Sequence, residues 1–287
     1  FVHAEPSEKS AKVQQLIWGD YVEVRGDDTP DGWVRVRARR ENGWMKKADL
    51  QPERLLEVNF VDIGQGDGCF IVTPDDEWIL IDAGEGDNMR RFLSWRFNLR
   101  NHPEQIASMR CAIISHPDSD HYHGFSEIFS SPQFEFGTVY HNGIVERAGD
   151  DVLGPKADGG GRVFLTDVIP DGQALVAIID DDAKVGRKLY PRLLRTVARR
   201  GSKVQMLCSE DRFLPGFDED ARTGKGKRLS VRVLAPIPEA DQNGRRRLRW
   251  LGDVGKTKNG HSVVLRLQYE GVSMLLGGDL NIPAEEY

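Results

Sequence analysis

The segment Cys111-Ala112-Ile113-Ile114-Ser115-His116-Pro117-Asp118-Ser119-Asp120-His121 constrains this chain more than any other. An apolar run ends at Ser115, and four side chains able to ligate a metal follow directly. Pro117 biases His116 toward an extended backbone. Side chains two apart on an extended segment point the same way, which puts His116, Asp118 and Asp120 on one side. His121 then turns in as a helix begins. Two imidazoles and two carboxylates this close together suit a divalent cation such as Zn²⁺, Mn²⁺ or Fe²⁺. Without one, the neighbouring carboxylates repel and raise each other's pKa. A solvated polar turn would account for Asp118 or Asp120 alone. It does not account for the whole set directly after a buried strand.

The surrounding pattern is mixed α/β. Val58-Asn59-Phe60-Val61-Asp62-Ile63, Cys69-Phe70-Ile71-Val72 and Trp78-Ile79-Leu80-Ile81 read as strands, separated by Gly64-Gln65-Gly66-Asp67-Gly68 and Pro74-Asp75-Asp76. The glycine-rich turn lacks the lysine and spacing of a phosphate loop, and Asp67 falls near the ligand segment. A helix is expected over 88–101 and a short one over 121–129. This alternation predicts sheets covered by helices. A polar stretch over about 145–257 interrupts it. One helix is expected there, over 191–200, with Pro191 in its first turn. Strands are expected over 204–208 and 231–234, and a hairpin crosses Tyr269-Glu270-Gly271.

Residues 1–50 read as short strands between turn clusters. They resemble bacterial SH3 domains through Pro6-Ser7, Val13, Gly19-Asp20, Val22-Glu23-Val24, Gly32-Trp33-Val34-Arg35-Val36, Gly43-Trp44-Met45 and Asp49-Leu50. The resemblance implies a small barrel, truncated at Phe1, that recruits a peptide or protein partner; a generic β module is the alternative. Residues 51–56 then read as a linker and 57–287 as the main domain. The three cysteines, Cys69, Cys111 and Cys208, do not form a disulfide framework, which favours a reducing, cytoplasmic setting. No apolar run approaches a membrane span. The net charge of −6 gives no global attraction to nucleic acid.

His116-Pro117-Asp118-Ser119-Asp120-His121 resembles the HxHxDH motif of the metallo-β-lactamase superfamily, with Asp118 where most members have histidine. That variant resembles the hydrolase domain of ComEC-type competence proteins. Val61-Asp62-Ile63-Gly64-Gln65-Gly66-Asp67, Leu80-Ile81-Asp82-Ala83-Gly84 and Gly277-Gly278-Asp279 point the same way. The resemblance implies an αββα sandwich with two divalent metals, Zn or Mn, at one sheet edge. It implies that His116 and Asp118 hold the first metal and Asp120 and His121 the second, with Asp279 bridging and Asp82 supporting the loop. Asp120 would also orient the attacking water. The family's last histidine would fall beyond Tyr287, so the domain reads as incomplete at that end.

His261, just before a strand, is either a further ligand or a residue of a ligand-free asparagine-rich segment. His141 is either a substrate or metal contact or a loop histidine. Three basic clusters could guide a phosphodiester toward the metals or be solvated surface: Arg192, Arg195, Arg199, Arg200 and Lys203; Lys225, Lys227 and Arg228; and Arg245-Arg246-Arg247 with Arg249. The function expected is metal-dependent hydrolysis of a phosphodiester, with DNA or a nucleotide as substrate, through a hydroxide bridging the metals. The alternative is a catalytically degenerate scaffold with a partner-binding SH3-like unit.

Overall fold

The protein is described by a computed structural model covering residues 1–286. Its first part supplies β1 (Val2–His3), β2 (Lys12–Gln14), β3 (Glu23–Asp28), β4 (Trp33–Ala38) and β5 (Glu41–Lys46). These form an antiparallel sheet in the order β2-β1-β5-β4-β3. Alternation along β4 buries Val34, Val36 and Ala38 against Val2 and Met45 in a separate small core.

There follow β6 (Glu57–Phe60), β7 (Cys69–Val72), β8 (Trp78–Ile81), α1 (Asn88–Arg96), β9 (Ala107–Ile113), α2 (Ser119–Tyr122), α3 (Phe125–Ser130) and β10 (Phe134–His141). The polar stretch holds β11 (Lys156–Gly159), β12 (Arg162–Leu165), α4 (Gly172–Ile179), α5 (Asp182–Val185), α6 (Leu189–Arg199), β13 (Lys203–Met206), β14 (Arg222–Thr223), β15 (Lys227–Ala235), β16 (Glu239–Ala240) and β17 (Arg246–Arg249). Last come α7 (Val254–Gly260), β18 (Val264–Tyr269), β19 (Val272–Leu276) and α8 (Ile282–Glu285).

Two sheets make the main body. One has six strands in the order β13-β10-β9-β8-β7-β6, the other four in the order β14-β15-β18-β19. Strands β8, β9, β10 and β13 run parallel. They face each other through one core: Ile71, Ile79, Cys111 and Ile113 from the first meet Val231, Val233, Leu265 and Leu267 from the second. The other face of the six-stranded sheet, with Phe70, Leu80 and Ala112, packs on Leu93 of α1, Phe125 and Ile128 of α3, Leu175 of α4 and Leu194 of α6. The three cysteines are free and buried. Burial pushes the Cys69 and Cys111 thiols up to about 12.

The structure departs from the expected αββα layering on one side. Register aligns Arg232, Arg266 and Leu275 across the four-stranded sheet. All three are exposed on its outer face, so no helix covers that row among the described residues. Buried Leu229, Val231 and Val233 of β15 alternate with Arg228, Ser230 and Arg232, and buried Leu265 and Leu267 of β18 alternate with Arg266 and Gln268, so one face is built for water. The polar stretch is also more integrated than an interruption: β13 joins the first sheet and β14 and β15 join the second. Its other four strands form a sheet of their own, in the order β11-β12-β17-β16. Helix α6 carries Pro191 in its first turn, as its sequence predicts. Helix α4 was not anticipated; Asp171 caps it by accepting from the backbone N–H groups of Gln173 and Ala174, at 2.9 and 3.0 Å. Among the described residues, none of the helices is long and apolar enough to cross a membrane.

Candidate metal centre

The parallel register of β8, β9 and β10 brings three chain segments to one sheet edge. Asp82 follows β8, Ser115 and His116 follow β9, and His141 ends β10. Asp82 has a left-handed backbone, φ 53°, a conformation that aspartate tolerates better than most residues. It aims the carboxylate back across the edge. One oxygen accepts from the Ser115 backbone N–H at 2.8 Å; the other accepts from the Ser115 hydroxyl at 2.6 Å and faces His121 Nδ1 at 3.0 Å. Asp82 therefore ties the strand end to the helix that carries His121.

These bonds set the imidazole tautomers. His116 is fully buried, and its Nδ1 faces Ser115 Oγ at 3.0 Å and Ser262 Oγ at 3.3 Å. Both hydroxyl protons are already engaged, by Asp82 and by the Asn259 carbonyl. Both serines thus offer lone pairs, Nδ1 carries the proton, and His116 Nε2 presents an unprotonated lone pair. That atom is buried without a hydrogen-bond partner. On His121, Nδ1 donates to Asp82, and Nε2 points to Asp279 Oδ1 at 3.3 Å. Asp82 behind the His121 ring, and the Ser115 and Ser262 hydroxyls behind His116, are the kind of outer support that metal-binding histidines use.

The ligand atoms of His116, His121 and Asp279 lie within 4.8 Å of one another, as do those of Asp67, Asp82 and His121. The structure thus brings together His116, His121 and Asp279, with Asp82 and Asp67 at the flank. Asp118 and Asp120 stand outside both groups. Asp118 is turned toward Lys258, with which it forms an ion pair, and its Oδ2 is 3.5 Å from His116 Nε2. Burial raises the Asp118 carboxyl, but with His116 Nε2 presenting a lone pair it is the Lys258 ammonium that outweighs burial and holds the carboxyl below its usual range. Burial lowers His121, yet Asp82, Asp279 and Asp120 raise it to about 9. Burial likewise raises Asp67. Buried imidazoles converging with carboxylates, and an orphaned nitrogen among them, fit a divalent cation.

The structure does not bring His261 or His141 into these groups. His261 is buried with Nε2 on the Arg249 carbonyl at 2.7 Å. His141 is buried, with its Nδ1 accepting from the Gly143 N–H at 3.1 Å and its Nε2 without a hydrogen-bond partner. Burial lowers both to about 4, in His261 against the opposing pull of the Arg249 carbonyl. The ordinary histidine value is 6.5. Unfolding therefore takes up protons between those limits, and stability present above pH 6.5 is lost as pH falls toward 4. Without added metal, the urea-unfolding free energy should fall by up to about 1.4 kcal/mol per pH unit for each histidine across that window. His141→Gln should remove one share of the slope; an unchanged slope would refute the assignment.

The glycine-rich turn before β7 locks the ligand segment. A Cβ on Gly66, φ +84°, would lie 1.6 Å from the Asp120 carbonyl oxygen. Gly66→Ala should cost about 3 kcal/mol or more, from the backbone clash together with the left-handed strain. Gly64 also has positive φ but nothing within 4 Å of its Cβ position, so Gly64→Ala should cost about 1 kcal/mol. Equal losses in thermal unfolding would show that the Gly66 contact is unimportant.

Residues 68–287 match the family model of the metallo-beta-lactamase superfamily. No curated protein matches the chain.

Proposed function

The chain belongs to the metallo-β-lactamase superfamily, a family of metal-dependent hydrolases, and on that premise we propose that it hydrolyses phosphodiesters, as a phosphodiesterase or nuclease. The observation that carries this reading is the convergence of His116, His121 and Asp279 beside further carboxylates. Asp67, Asp118 and Asp120 make the surroundings richer in oxygen donors than a three-histidine site. Hard donors of that kind suit cations that also take phosphate oxygens, Mn²⁺ among them.

His116 with Asp118 and His121 with Asp120 are the pairs that would hold two cations, with Asp279 between. Such cations supply Lewis acidity and lower the pKa of water. Asp82 orients His121 and, through Ser115, His116. Asp120 is half-buried beside His121, and we assign it the orientation and deprotonation of the attacking water.

The basic clusters favour a short substrate over a duplex groove. Arg195 pairs with Asp182, Arg199 with Asp180, Lys225 and Lys227 with Glu53, and Arg246 with Glu210. Charges matched locally leave little attraction for a long polyanion.

The test is elemental analysis of the purified protein, followed by assays of a chromogenic phosphate diester and of single-stranded DNA with Mn²⁺ or Zn²⁺. Stoichiometric metal and diester cleavage are expected. Asp120→Ala should lower the rate by about 10²–10⁴-fold. Absence of metal would sink the enzyme reading, and activity surviving Asp120→Ala would sink the role of that residue.

A further inference from the structure

An aspartate in place of histidine adds a negative charge to the ligand set, and the structure places a cation beside it. Lys258, near the end of α7, ion-pairs with Asp118 Oδ1. Its Nζ also donates to the Pro117 carbonyl at 3.3 Å and lies 3.6 Å from Glu146 Oε1. These side chains are mostly enclosed: Lys258 is 13% exposed, Asp118 26% and Glu146 11%. Three oxygens in a half-closed site thus surround one ammonium. The second Asp118 oxygen is engaged as well. With its amide turned so that both ends are satisfied, Asn259 donates to Asp118 Oδ2 at 2.9 Å and to the Gly255 carbonyl at 2.8 Å. Asp118 therefore has both oxygens bonded by protein donors, whereas His116 Nε2, 3.5 Å from it, has none.

We propose that the Lys258 ammonium is a built-in counter-cation at the first metal position, so that the two positions fill unequally. This rests on the reading of the cluster as a metal centre. A cation held by His121 and Asp279 leaves Lys258 in place. A cation held by His116 and Asp118 must draw Asp118 away from Lys258 and Asn259, because a divalent ion and an ammonium on one carboxylate repel each other at short range. Glu146 gives the displaced ammonium somewhere to go. It lies within the swing of the flexible lysine stem and already has Lys188 at 3.8 Å. The aspartate and the lysine act as a pair: the aspartate makes the position strongly attractive to cations, and the lysine supplies one that the protein always carries.

The experiment is a Mn²⁺ titration of the full chain, read by equilibrium dialysis with elemental analysis and by electron paramagnetic resonance. Isolated and exchange-coupled Mn²⁺ give different spectra. Wild type should take up one equivalent first, with the second and the coupled signal appearing only at roughly tenfold or higher Mn²⁺ concentration. Lys258→Met should bind both equivalents over one concentration range, and its coupled signal should appear at correspondingly lower Mn²⁺. Thermal melts establish that the variant folds. Lys258→Gln, which can still bond the Pro117 carbonyl, gives the same comparison if the methionine variant does not fold. A second equivalent that binds with the same concentration dependence in wild type and variants would overturn the role of Lys258. Absence of Mn²⁺ binding in every form would overturn the metal centre itself, and this inference with it.

Discussion

Replacing Asp82 with asparagine should strip the protein of metal while leaving most of its stability in place. Asparagine matches aspartate in volume and tolerates the left-handed backbone at this position, φ 53°. Its one oxygen can still accept from the Ser115 backbone N–H. Its amide, however, can only donate toward His121 Nδ1, which now donates to the carboxylate at 3.0 Å. The neutral ring that a cation requires must then carry its one proton on Nε2, the atom that faces Asp279. The lone pair a cation needs is then lost. Supporting groups of this kind are worth about 10–100-fold in metal affinity, and a reversed tautomer belongs at the upper end. Asp82→Ala should differ in kind. It leaves the buried Ser115 N–H and the His121 ring without an acceptor and puts alanine in the left-handed region. The loss expected is about 3–5 kcal/mol. Urea unfolding and elemental analysis of both variants separate the two effects. Full metal content in Asp82→Asn would show that the carboxylate does not set the tautomer.

How much of this centre is readable before folding depends on where its parts lie in the chain. His116 and His121 sit in one short segment after a buried strand, so local geometry alone brings them together. Asp279 comes from the other sheet; only its Gly277-Gly278 setting, read through a family resemblance, points to it. Lys258 gives no signal at all: it is one lysine in a polar run, and α7 places it. His261 illustrates the opposite case, a residue whose sequence setting leaves both readings open. Its position before a strand suggests a ligand, yet its ring is bonded to the Arg249 carbonyl at the end of β17, a strand whose location is a tertiary fact. The fold shows the same division. The hairpin strands and the α1 region follow from short-range periodicity. The role of β13 and β15 as members of the two main sheets does not, because pairing partners far away in sequence decide it. Helix α4 has a capping Asp171 and then a short apolar run, and such a run reads equally as strand or helix.

Replacing Arg96 with methionine should destabilise the protein by about 3–5 kcal/mol, the range for breaking a buried ion pair from one side. Arg96 projects from α1 between the two parts of the chain. It ion-pairs with Asp20 of the N-terminal segment and donates from Nη2 to both oxygens of Glu57, at 3.1 and 3.0 Å. Arg39 completes the cluster at 2.9 Å from Asp20, with its guanidinium 4.1 Å from the centre of the Trp95 ring. The side chains of all four charged residues are at most 8% exposed. Burial raises the Glu57 carboxyl, and Arg96 opposes that rise. Without Arg96, Asp20 keeps Arg39, but the buried Glu57 loses both its hydrogen bonds and keeps only the longer-range attraction of Arg54 and Arg39. The expected cost is therefore mostly Glu57's, which makes it removable. Arg96→Met combined with Glu57→Gln should recover part of the loss, because a neutral amide needs no counter-charge. Urea denaturation of wild type, both single variants and the double variant gives the coupling directly. A single-variant loss below about 1 kcal/mol, the scale of a surface pair, would mean that water reaches this cluster in solution. The N-terminal sheet would then be held by more exposed contacts, such as Arg40 with Glu104 and His102 with Glu41, and not by this charge cluster.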